Sequence, residues 1–424
     1  MNKSFAVKGD FYYSRSLKQI DIVRDGYCIV EDGISKGVFE SLPEQYKGIE
    51  VLDFSGNMIL PGMIDLHTHA PQYGFRAVGL DKELLEWLET YTFPEESNYS
   101  NMEYADKSYD ILADDLKKSW TTRCVLFGTI FKDSTLLLMD KLEKSGLCTY
   151  VGKVNMDRNA PEFYVEQTKQ SVEDTIDFVR EASERFTNTK PILTPRFIPT
   201  CSDELMEGLG RIQKETGIPA QSHLSENLSE IQWVSELCPF SEFYGDAYDH
   251  FGMFGTNGPT IMAHCVHSGK EEIERMKENG VFIAHCPSSN ANLASGIAPI
   301  RRYLNAGLRV GMGSDIAGGF SLSIPDEMVR AVQYSKLRWR CVEKEEPLEM
   351  EEVFYLATAG GGEFFGKVGS FDEGYEFDAV VIDDSTAKTA FRVNDTDRLS
   401  RAIYLSHQCE LKAKFVRGRK IVFD

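Results

Sequence analysis

The chain has 424 residues, of which 42% are hydrophobic and 26% charged, and its formal net charge at pH 7 is -20. This composition supports a large apolar core and excludes a chain that is disordered for most of its length. The strongly negative charge repels phosphate backbones, so nucleic acid is not an expected partner.

Both ends of the chain have the strand-and-turn character of a β domain. Residues 1–60 include "GYCIVEDGISKGVF", and residues 369–424 include "EFDAVVIDD" and "KFVRGRKIVF". Neither end is long enough to bury an apolar core by itself. We therefore predict that the two ends pair into one small β domain beside a central domain.

The central residues, 61–368, alternate between short apolar runs and longer stretches with helical periodicity. In 165–186 and 268–280, apolar residues recur at intervals of three and four residues, as on an amphipathic helix. The second stretch ends in a helix stop, Asn279-Gly280. Eight apolar runs separated in this way predict an α/β fold, the (β/α)8 barrel, whose chemistry collects at the carboxyl ends of the strands. A long insertion at 70–97 is typical of a functional lid. The predicted strands are 62–69, 122–129, 148–155, 191–199, 218–226, 260–267, 281–289 and 308–316.

Polar residues that suit a metal site or acid–base chemistry stand at the ends of these predicted strands. Alternate residues of a strand share one face, so His67 and His69 are expected to point the same way. A single histidine in such a place is more often a core or surface residue, but the whole set indicates a metal site. Its members, which include six of the eight histidines in the chain, are His67, His69, Arg196, His223, Glu226, His264, His267, His285 and Asp315.

Three neutral imidazoles and one carboxylate suit a borderline divalent ion, zinc above all. Such an ion lowers the pKa of its water from about 15.7 to about 7, which makes hydroxide available at neutral pH. Glu226, just past His223, then becomes a candidate proton carrier. The alternative for Glu226 is a structural role in the first turn of the following helix, where a carboxylate stabilises the helix dipole.

Several motifs together resemble the amidohydrolase superfamily along nearly the whole chain. They are "PGMIDLHTH", "HLSE", "AHCVH", "HCPSSNANLASG" and "GSDIAGG", followed by "GSFDEGYEFDAVVID" near the end. The resemblance implies a TIM barrel over 61–368 and a small composite β-sandwich from 1–60 and 369–424. Two-metal members carry a carboxylated lysine on the fourth strand, where "PILTPRFIP" offers Arg196 and no lysine. This departure favours one metal per chain and the deaminase branch of the family.

Three further stretches resemble the members of that branch that act on guanine: "HTHAPQYGF", "LLEWLETYTFPEE" and "TPRFIP". The resemblance implies a hydrolase that converts guanine and water to xanthine and ammonia with one zinc ion, iron being the other metal to consider. It also implies that Glu226 carries protons and that His264 orients the attacking water and polarises the substrate. Asp315 would bind the metal and accept a hydrogen bond from that water.

The same resemblance implies a set of binding residues. Phe197 follows Arg196 directly, so both can face the base only if the strand ends or bulges there. Arg196 has a structural alternative, an ion pair at the rim of the barrel. The implied metal ligands are His67, His69, His223 and Asp315, and the implied substrate contacts are Gln72, Trp87, Arg196 and Phe197.

Other functions remain open on the sequence. The nearest is a related aromatic deaminase that acts on an adenosine-type thioether or a triazine, since the "HLSE" and "GSD" motifs would serve it equally well. A non-catalytic barrel is disfavoured because all four ligands are present. Hydrolysis of a cyclic amide is disfavoured by the missing lysine.

The expected compartment and partners follow from other features of the sequence. The nine cysteines are scattered without a C-x-x-C pair, which favours reduced thiols. The first twenty residues are polar, and no apolar run approaches the roughly 20 residues of a membrane span. We therefore expect a cytoplasmic protein with a small-molecule substrate and no nucleic-acid or membrane partner. The family resemblance adds a homodimer to these expectations.

Overall fold

The computed structural model describes residues 4–423. In that range, no helix is long and apolar enough to span a bilayer. Two π-helical turns, Leu88–Thr92 and Leu356–Gly360, continue the helices that end at Trp87 and Tyr355. The strands are β1 Ser4–Ser16, β2 Gln19–Glu31, β3 Ile34–Phe39, β4 Glu50–Pro61, β5 Met63–His69, β6 Thr121–Phe127, β7 Cys148–Gly152, β8 Val154–Asn155, β9 Thr189–Pro191, β10 Thr194–Pro195, β11 Ala220–Leu224, β12 Thr260–His264, β13 Phe282–His285, β14 Arg309–Met312, β15 Ala379–Asp383, β16 Glu410–Val416 and β17 Arg419–Ile421. The α-helices are α1 Leu84–Trp87, α2 Phe93–Ser97, α3 Met102–Lys118, α4 Lys132–Ser145, α5 Thr168–Arg185, α6 Asp203–Thr216, α7 Leu228–Leu237, α8 Tyr244–His250, α9 Lys270–Asn279, α10 Pro287–Asn292, α11 Ile300–Ala306, α12 Ile324–Cys341, α13 Met350–Tyr355 and α14 Asp395–Tyr404.

Strands β5 to β14 form a closed parallel barrel of eight strands, in which the third (β7 and β8) and the fourth (β9 and β10) are each interrupted. Two parallel sheets, β5-β6-β7-β9 and β11-β12-β13-β14, make up most of the ring. A parallel bridge between Leu193 and Ala220 joins the fourth strand to the fifth. The last strand returns to the first through two hydrogen bonds, from Asp315 N to His67 O (2.8 Å) and from His69 N to Ile316 O (3.1 Å). The predicted barrel is confirmed.

The observed strands end earlier than several of the predicted ones. The fourth, fifth, sixth and eighth strands end at Pro195, Leu224, His264 and Met312, whereas the predictions extended to 199, 226, 267 and 316. Left-handed backbone occurs at or shortly after the last three of these ends, with φ of 48° at Ser225, 72° at His264 and 45° at Asp315. Such a backbone cannot continue a strand. Arg196, Glu226 and Asp315 therefore lie on loops at the carboxyl rim of the barrel.

The predicted helices over 165–186 and 268–280 are present as α5 and α9. In α5 the apolar stripe buries Phe178, Val179 and Ala182 against the barrel. Helix α9 ends at Asn279 because Gly280 adopts a left-handed φ of 67°, which has little steric cost for glycine. These helices cover the outside of the barrel and leave its carboxyl rim to the loops.

The two ends of the chain meet in one seven-stranded sheet of order β17-β16-β15-β4-β1-β2-β3. Strands β16 and β1 are three positions apart, which in a flat sheet would separate them by about 14 Å. The rings of Phe5 and Phe415 nevertheless lie only 6.3 Å apart, so the sheet curls over its own apolar core. Its other face packs on the barrel through residues such as Tyr12, Leu60 and Val416. The exact limits of the domains, 1–60, 61–368 and 369–424, remain a prediction.

Candidate active site

Three imidazoles and one carboxylate converge at the carboxyl rim of the barrel. His67 and His69 lie on the same face of β5, as the period of two predicted. Their Nε2 atoms lie 3.1 Å and 3.4 Å from Oδ1 of Asp315. The Nε2 atoms of His69 and His223 are 3.2 Å apart. Donor atoms of three separate strands therefore surround one small volume.

This cluster fits a divalent metal ion. The ligand atoms of His67, His69 and His223 lie within 4.8 Å of one another, and so do those of His67, His264 and Asp315. Nε2 of His67 is buried close to Asp315 but lacks the geometry of a hydrogen bond to it, whereas buried polar atoms normally have a hydrogen-bond partner. Burial holds the pKa of His69 and of His223 well below the ordinary value, so their imidazoles are neutral, as ligands must be. Burial opposes ionisation of Asp315, but the neighbouring imidazoles of His67, His264 and His69 together outweigh this effect and hold its pKa well below the usual range. Neutral nitrogens with one carboxylate suit a zinc-like ion.

Neighbouring groups hold the cluster in place. Oδ1 of Asp65 accepts hydrogen bonds from the main-chain N–H of His67 (3.1 Å) and of Ser314 (3.0 Å). The main-chain oxygen of Arg196 lies 2.6 Å from Nδ1 of His223, which leaves Nε2 of that ring facing the cluster. Asp65 was not predicted, although the period of two places 65, 67 and 69 on one face of the strand.

Glu226 and His264 form a second group beside the cluster. Nε2 of His264 lies 3.5 Å from Oε2 of Glu226 and 3.7 Å from Oδ2 of Asp315. Burial raises the pKa of Glu226 to about 7, and the hydroxyl of Ser295 donates to its Oε1 at 3.1 Å. Burial opposes the charged form of His264, but the carboxylates of Glu226 and Asp315 outweigh this effect and raise its pKa. Asn290 Oδ1 lies 2.9 Å from Nδ1 of His264.

The carboxylate that accepts the main-chain N–H groups at the start of α7 belongs to Glu230 and not to Glu226. Oε2 of Glu230 accepts the main-chain N–H groups of Glu226 (3.0 Å) and Asn227 (3.2 Å), and Asn227 caps the helix with its side chain. Glu230 therefore fills the helix-terminus role that the sequence left open for Glu226. The spacing of Asn227 and Glu230 is that of a capping box, which could have revealed this arrangement.

The cluster opens into a pocket lined by side chains from several strands of the barrel and from the segment after β5. His267 and His285 do not line it, and His267 instead has Nε2 2.8 Å from the main-chain oxygen of Ser295. The predicted site residues that do line it are His69, Gln72, Trp87, Arg196, Phe197, His223, Glu226, His264 and Asp315. The pocket is also lined by four residues that were not predicted, which are Leu84, Leu88, Glu230 and Leu293.

Arg196 and Phe197 both face the pocket because β10 has already ended at Pro195. The Phe197 ring packs edge-on to His223, with centroids 6.5 Å apart. Arg196 also forms a buried ion pair with Glu96 in α2, through Nη1 (2.7 Å) and Nη2 (3.2 Å). The two roles considered for Arg196, ion pair and pocket lining, therefore occur together.

Comparisons with known proteins agree with this architecture. Residues 58–421 match the model of the amidohydrolase family. The guanine deaminase of Dictyostelium discoideum is 37% identical over 98% of this chain and 98% of its own length. The human guanine deaminase is 35% identical over 98% of this chain and 96% of its own length. A crystal structure of guanine deaminase from C. acetobutylicum with guanine bound in the active site is 48% identical, covers 99% of this chain and 100% of that one, and has a TM-score of 0.96. The chain therefore belongs to the amidohydrolase family, and within it to the guanine deaminase group.

Proposed function

We propose that this protein is a metal-dependent hydrolase that converts guanine and water to xanthine and ammonia. The observation that carries the proposal is one buried pocket that unites three kinds of group. These are a set of metal ligands, an adjacent pair of acid–base residues, and polar side chains suited to the edge of a purine. The guanine deaminases among its relatives support the choice of substrate.

His67, His69, His223 and Asp315 would hold the metal. A divalent ion bound there supplies a water whose pKa is lowered to about 7, and therefore a nucleophile at neutral pH. Zinc is the ion proposed, with iron as the second choice, because neutral imidazoles dominate the set. One ion per chain is proposed, since Arg196 stands where two-metal relatives carry a lysine.

Glu226 is proposed to move the protons that the reaction requires. As the water oxygen bonds to C2 of guanine, ring N3 gains a proton and the water loses one. The C2–N bond then breaks, and the departing amine must gain a proton to leave as ammonia. A carboxyl whose pKa burial raises to about 7 can accept and release a proton at neutral pH.

His264 is proposed to orient the water and polarise the substrate. Its Nδ1 is held at 2.9 Å by Asn290, so its Nε2 is directed toward Glu226 and Asp315. A ring fixed in this way loses little entropy when the transition state forms. Its proximity to two carboxylates favours the protonated form, which donates a hydrogen bond from Nε2.

Arg196, Gln72, Phe197 and Trp87 are proposed to bind the base. Guanine presents O6 and N7 as adjacent acceptors, whereas adenine has an amino donor in place of O6. A guanidinium carries only donors, so Arg196 suits guanine and faces a donor on adenine. The aromatic rings of Phe197 and Trp87 supply apolar walls for a planar ligand.

Release of ammonia tests the proposal most directly. The zinc-loaded protein is assayed with guanine, adenine, adenosine and a triazine, and its metal content is measured in the same preparation. We expect turnover of guanine with about one ion per chain. Faster release from a triazine or from adenosine would contradict the choice of substrate, and two ions per chain would contradict the single-metal site.

A cytoplasmic homodimer that needs neither nucleic acid nor membrane is also proposed. The family resemblance supports the dimer, and the net charge of -20 supports a protein that nucleic acid does not attract. Sedimentation at several protein concentrations tests the assembly. A monomer at micromolar concentration would contradict it.

A further inference from the structure

Glu96 is a fully buried carboxylate in α2, the short helix of the segment that covers the pocket. Its Oε1 accepts hydrogen bonds from Gln72 Nε2 (2.8 Å) and Arg196 Nη2 (3.2 Å). Its Oε2 accepts from Arg196 Nη1 (2.7 Å) and the hydroxyl of Tyr164 (2.8 Å). Each oxygen has two donors, which satisfies the hydrogen-bonding capacity of an ionised carboxylate. Glu96 is therefore the centre of a buried hydrogen-bonded unit.

This unit ties together two side chains that line the pocket from different parts of the barrel. Gln72 follows the first strand, and Arg196 follows the fourth. The Gln72 carbonyl accepts the main-chain N–H of Ala317 at 2.9 Å, so its amide nitrogen is the end that faces Glu96. Gln72 is thus held from both ends, and its orientation is coupled to that of Arg196 through one carboxylate.

Glu96 also neutralises the charge of Arg196. The guanidinium is only 2% exposed, and a buried charge requires a nearby counter-charge. The bidentate pair leaves a guanidinium that still has unused N–H donors but no uncompensated charge. A pocket built in this way recognises a neutral ligand by the position of its acceptors and does not depend on attraction of an anion.

We propose that Glu96 is a positioning residue that determines which bases the pocket accepts. It directs the donors of Arg196 and Gln72 toward a carbonyl acceptor on a neutral purine and prevents Arg196 from moving. Glu96 is not among the residues that line the pocket, so it acts through those two side chains. The inference rests on the proposed function, since it takes a purine as the ligand.

Hypoxanthine and adenine form a suitable pair of ligands for the test. Both lack the 2-amino group that the proposed reaction removes, so neither serves as a substrate at that position. They differ at position 6, where hypoxanthine has a carbonyl acceptor and adenine an amino donor. We expect the metal-loaded wild type to bind hypoxanthine at least about tenfold more tightly than adenine.

Two variants and one control separate positioning from general damage. Glu96→Gln keeps the shape of the side chain, but it replaces an acceptor by a donor opposite Arg196 or Gln72. Tyr164→Phe removes one donor from Glu96 and leaves the ion pair intact. Glu166→Gln is the control, because Glu166 is a largely buried carboxylate that pairs with the buried Lys153 and lies outside the pocket.

Equilibrium dissociation constants of the metal-loaded proteins are measured by titration calorimetry. The preference for hypoxanthine over adenine should fall at least about tenfold in Glu96→Gln and about threefold in Tyr164→Phe. It should be unchanged in Glu166→Gln. These variants are more informative than replacement of Arg196, which would leave the Glu96 carboxylate buried without its counter-charge.

An unchanged preference in Glu96→Gln would overturn the inference. If that variant does not fold, an unchanged preference in Tyr164→Phe overturns it instead. An equal fall in Glu166→Gln would also overturn it, because any buried carboxylate would then have the same effect. A wild type that releases no ammonia from guanine would contradict the proposed function, and the calorimetric comparison would still be interpretable.

Discussion

Glu226 and Asp315 are buried carboxyls in one pocket whose surroundings shift their pKa values in opposite directions. Burial raises the pKa of Glu226 to about 7. Burial acts on Asp315 as well, but the imidazoles of His67, His264 and His69 together more than compensate and hold its pKa well below the usual range. When the pKa values of two carboxyls differ in this way, one group exchanges protons near neutral pH and the other remains ionised. This division supports the proton-carrying role for Glu226 and the metal-binding role for Asp315.

The exchange role of Glu226 is tested by Glu226→Gln. The amide cannot carry a proton between water and the base, so turnover of guanine should fall by about 100- to 10,000-fold. Metal content should be unchanged because Glu226 is outside the proposed ligand set. Rapid-quench kinetics and elemental analysis check both points. The control is Glu327→Gln, which alters a buried carboxyl outside the pocket and should keep near-normal turnover.

A Glu226→Gln protein with near wild-type turnover would remove Glu226 from the reaction. The helix-terminus role would not then explain its burial, since Glu230 already accepts the N–H groups at the start of α7. Loss of metal together with activity would have a different meaning. It would indicate that Glu226 supports the ligands instead of moving protons.

At the scale of elements, α12 is joined to the first turn of α10 by a buried carboxyl. Glu327 accepts the main-chain N–H of Ser288 at 3.0 Å and also its hydroxyl. Burial raises the pKa of Glu327 from 4.5 to about 8. The folded state therefore holds this proton more tightly than the unfolded state. The resulting stabilisation is fully present below about pH 4.5 and is lost as the pH rises through about 8.

Glu327→Gln should remove this pH dependence, because an amide does not titrate. Between pH 5 and pH 8, the free energy of unfolding of the wild type should fall relative to that of the variant by on the order of 3 kcal/mol. Urea midpoints at several pH values, with equal metal content in both proteins, provide the measurement. A difference between the two proteins that stays constant with pH would show that Glu327 does not titrate in this range.

At the scale of the whole molecule, the proposed metal ligands come from the first, fifth and eighth strands of the barrel or the loops that follow them. A metal bound only by the folded state should stabilise the protein by about 4 kcal/mol when its free concentration is about 1,000 times the dissociation constant. Chelation should therefore lower the unfolding temperature, and zinc should restore it. The variant His67→Ala, which lacks one proposed ligand, should respond much less. A wild type whose unfolding temperature is the same before and after proven removal of the metal would contradict a ligand set that spans these strands.

Local periodicity made much of this architecture predictable. Eight apolar runs gave the strand count, and the period of two placed His67 and His69 on one face. Strand ends were less predictable, because a left-handed residue such as Ser225 ends a strand without an obvious sequence signal. Glu96 could not be predicted, since its partners Gln72 and Arg196 lie 24 and 100 residues away in the chain. The curling of the terminal sheet also depends on such distant contacts.

The hydrogen bonds that close the barrel have a consequence for biosynthesis. His67 and Asp315 carry two of the proposed metal ligands and also join the first strand to the last through their main chains. A nascent chain presents its two early histidines long before the carboxylate emerges from the ribosome, so the full proposed ligand set appears only after the last barrel strand has been made. Until then the edge of β5 that will face the last strand has no strand partner, and unpaired edges invite association with other chains. Messages truncated before codon 315 should therefore yield products that depend on chaperones or are degraded, and metal loading should follow completion of the barrel.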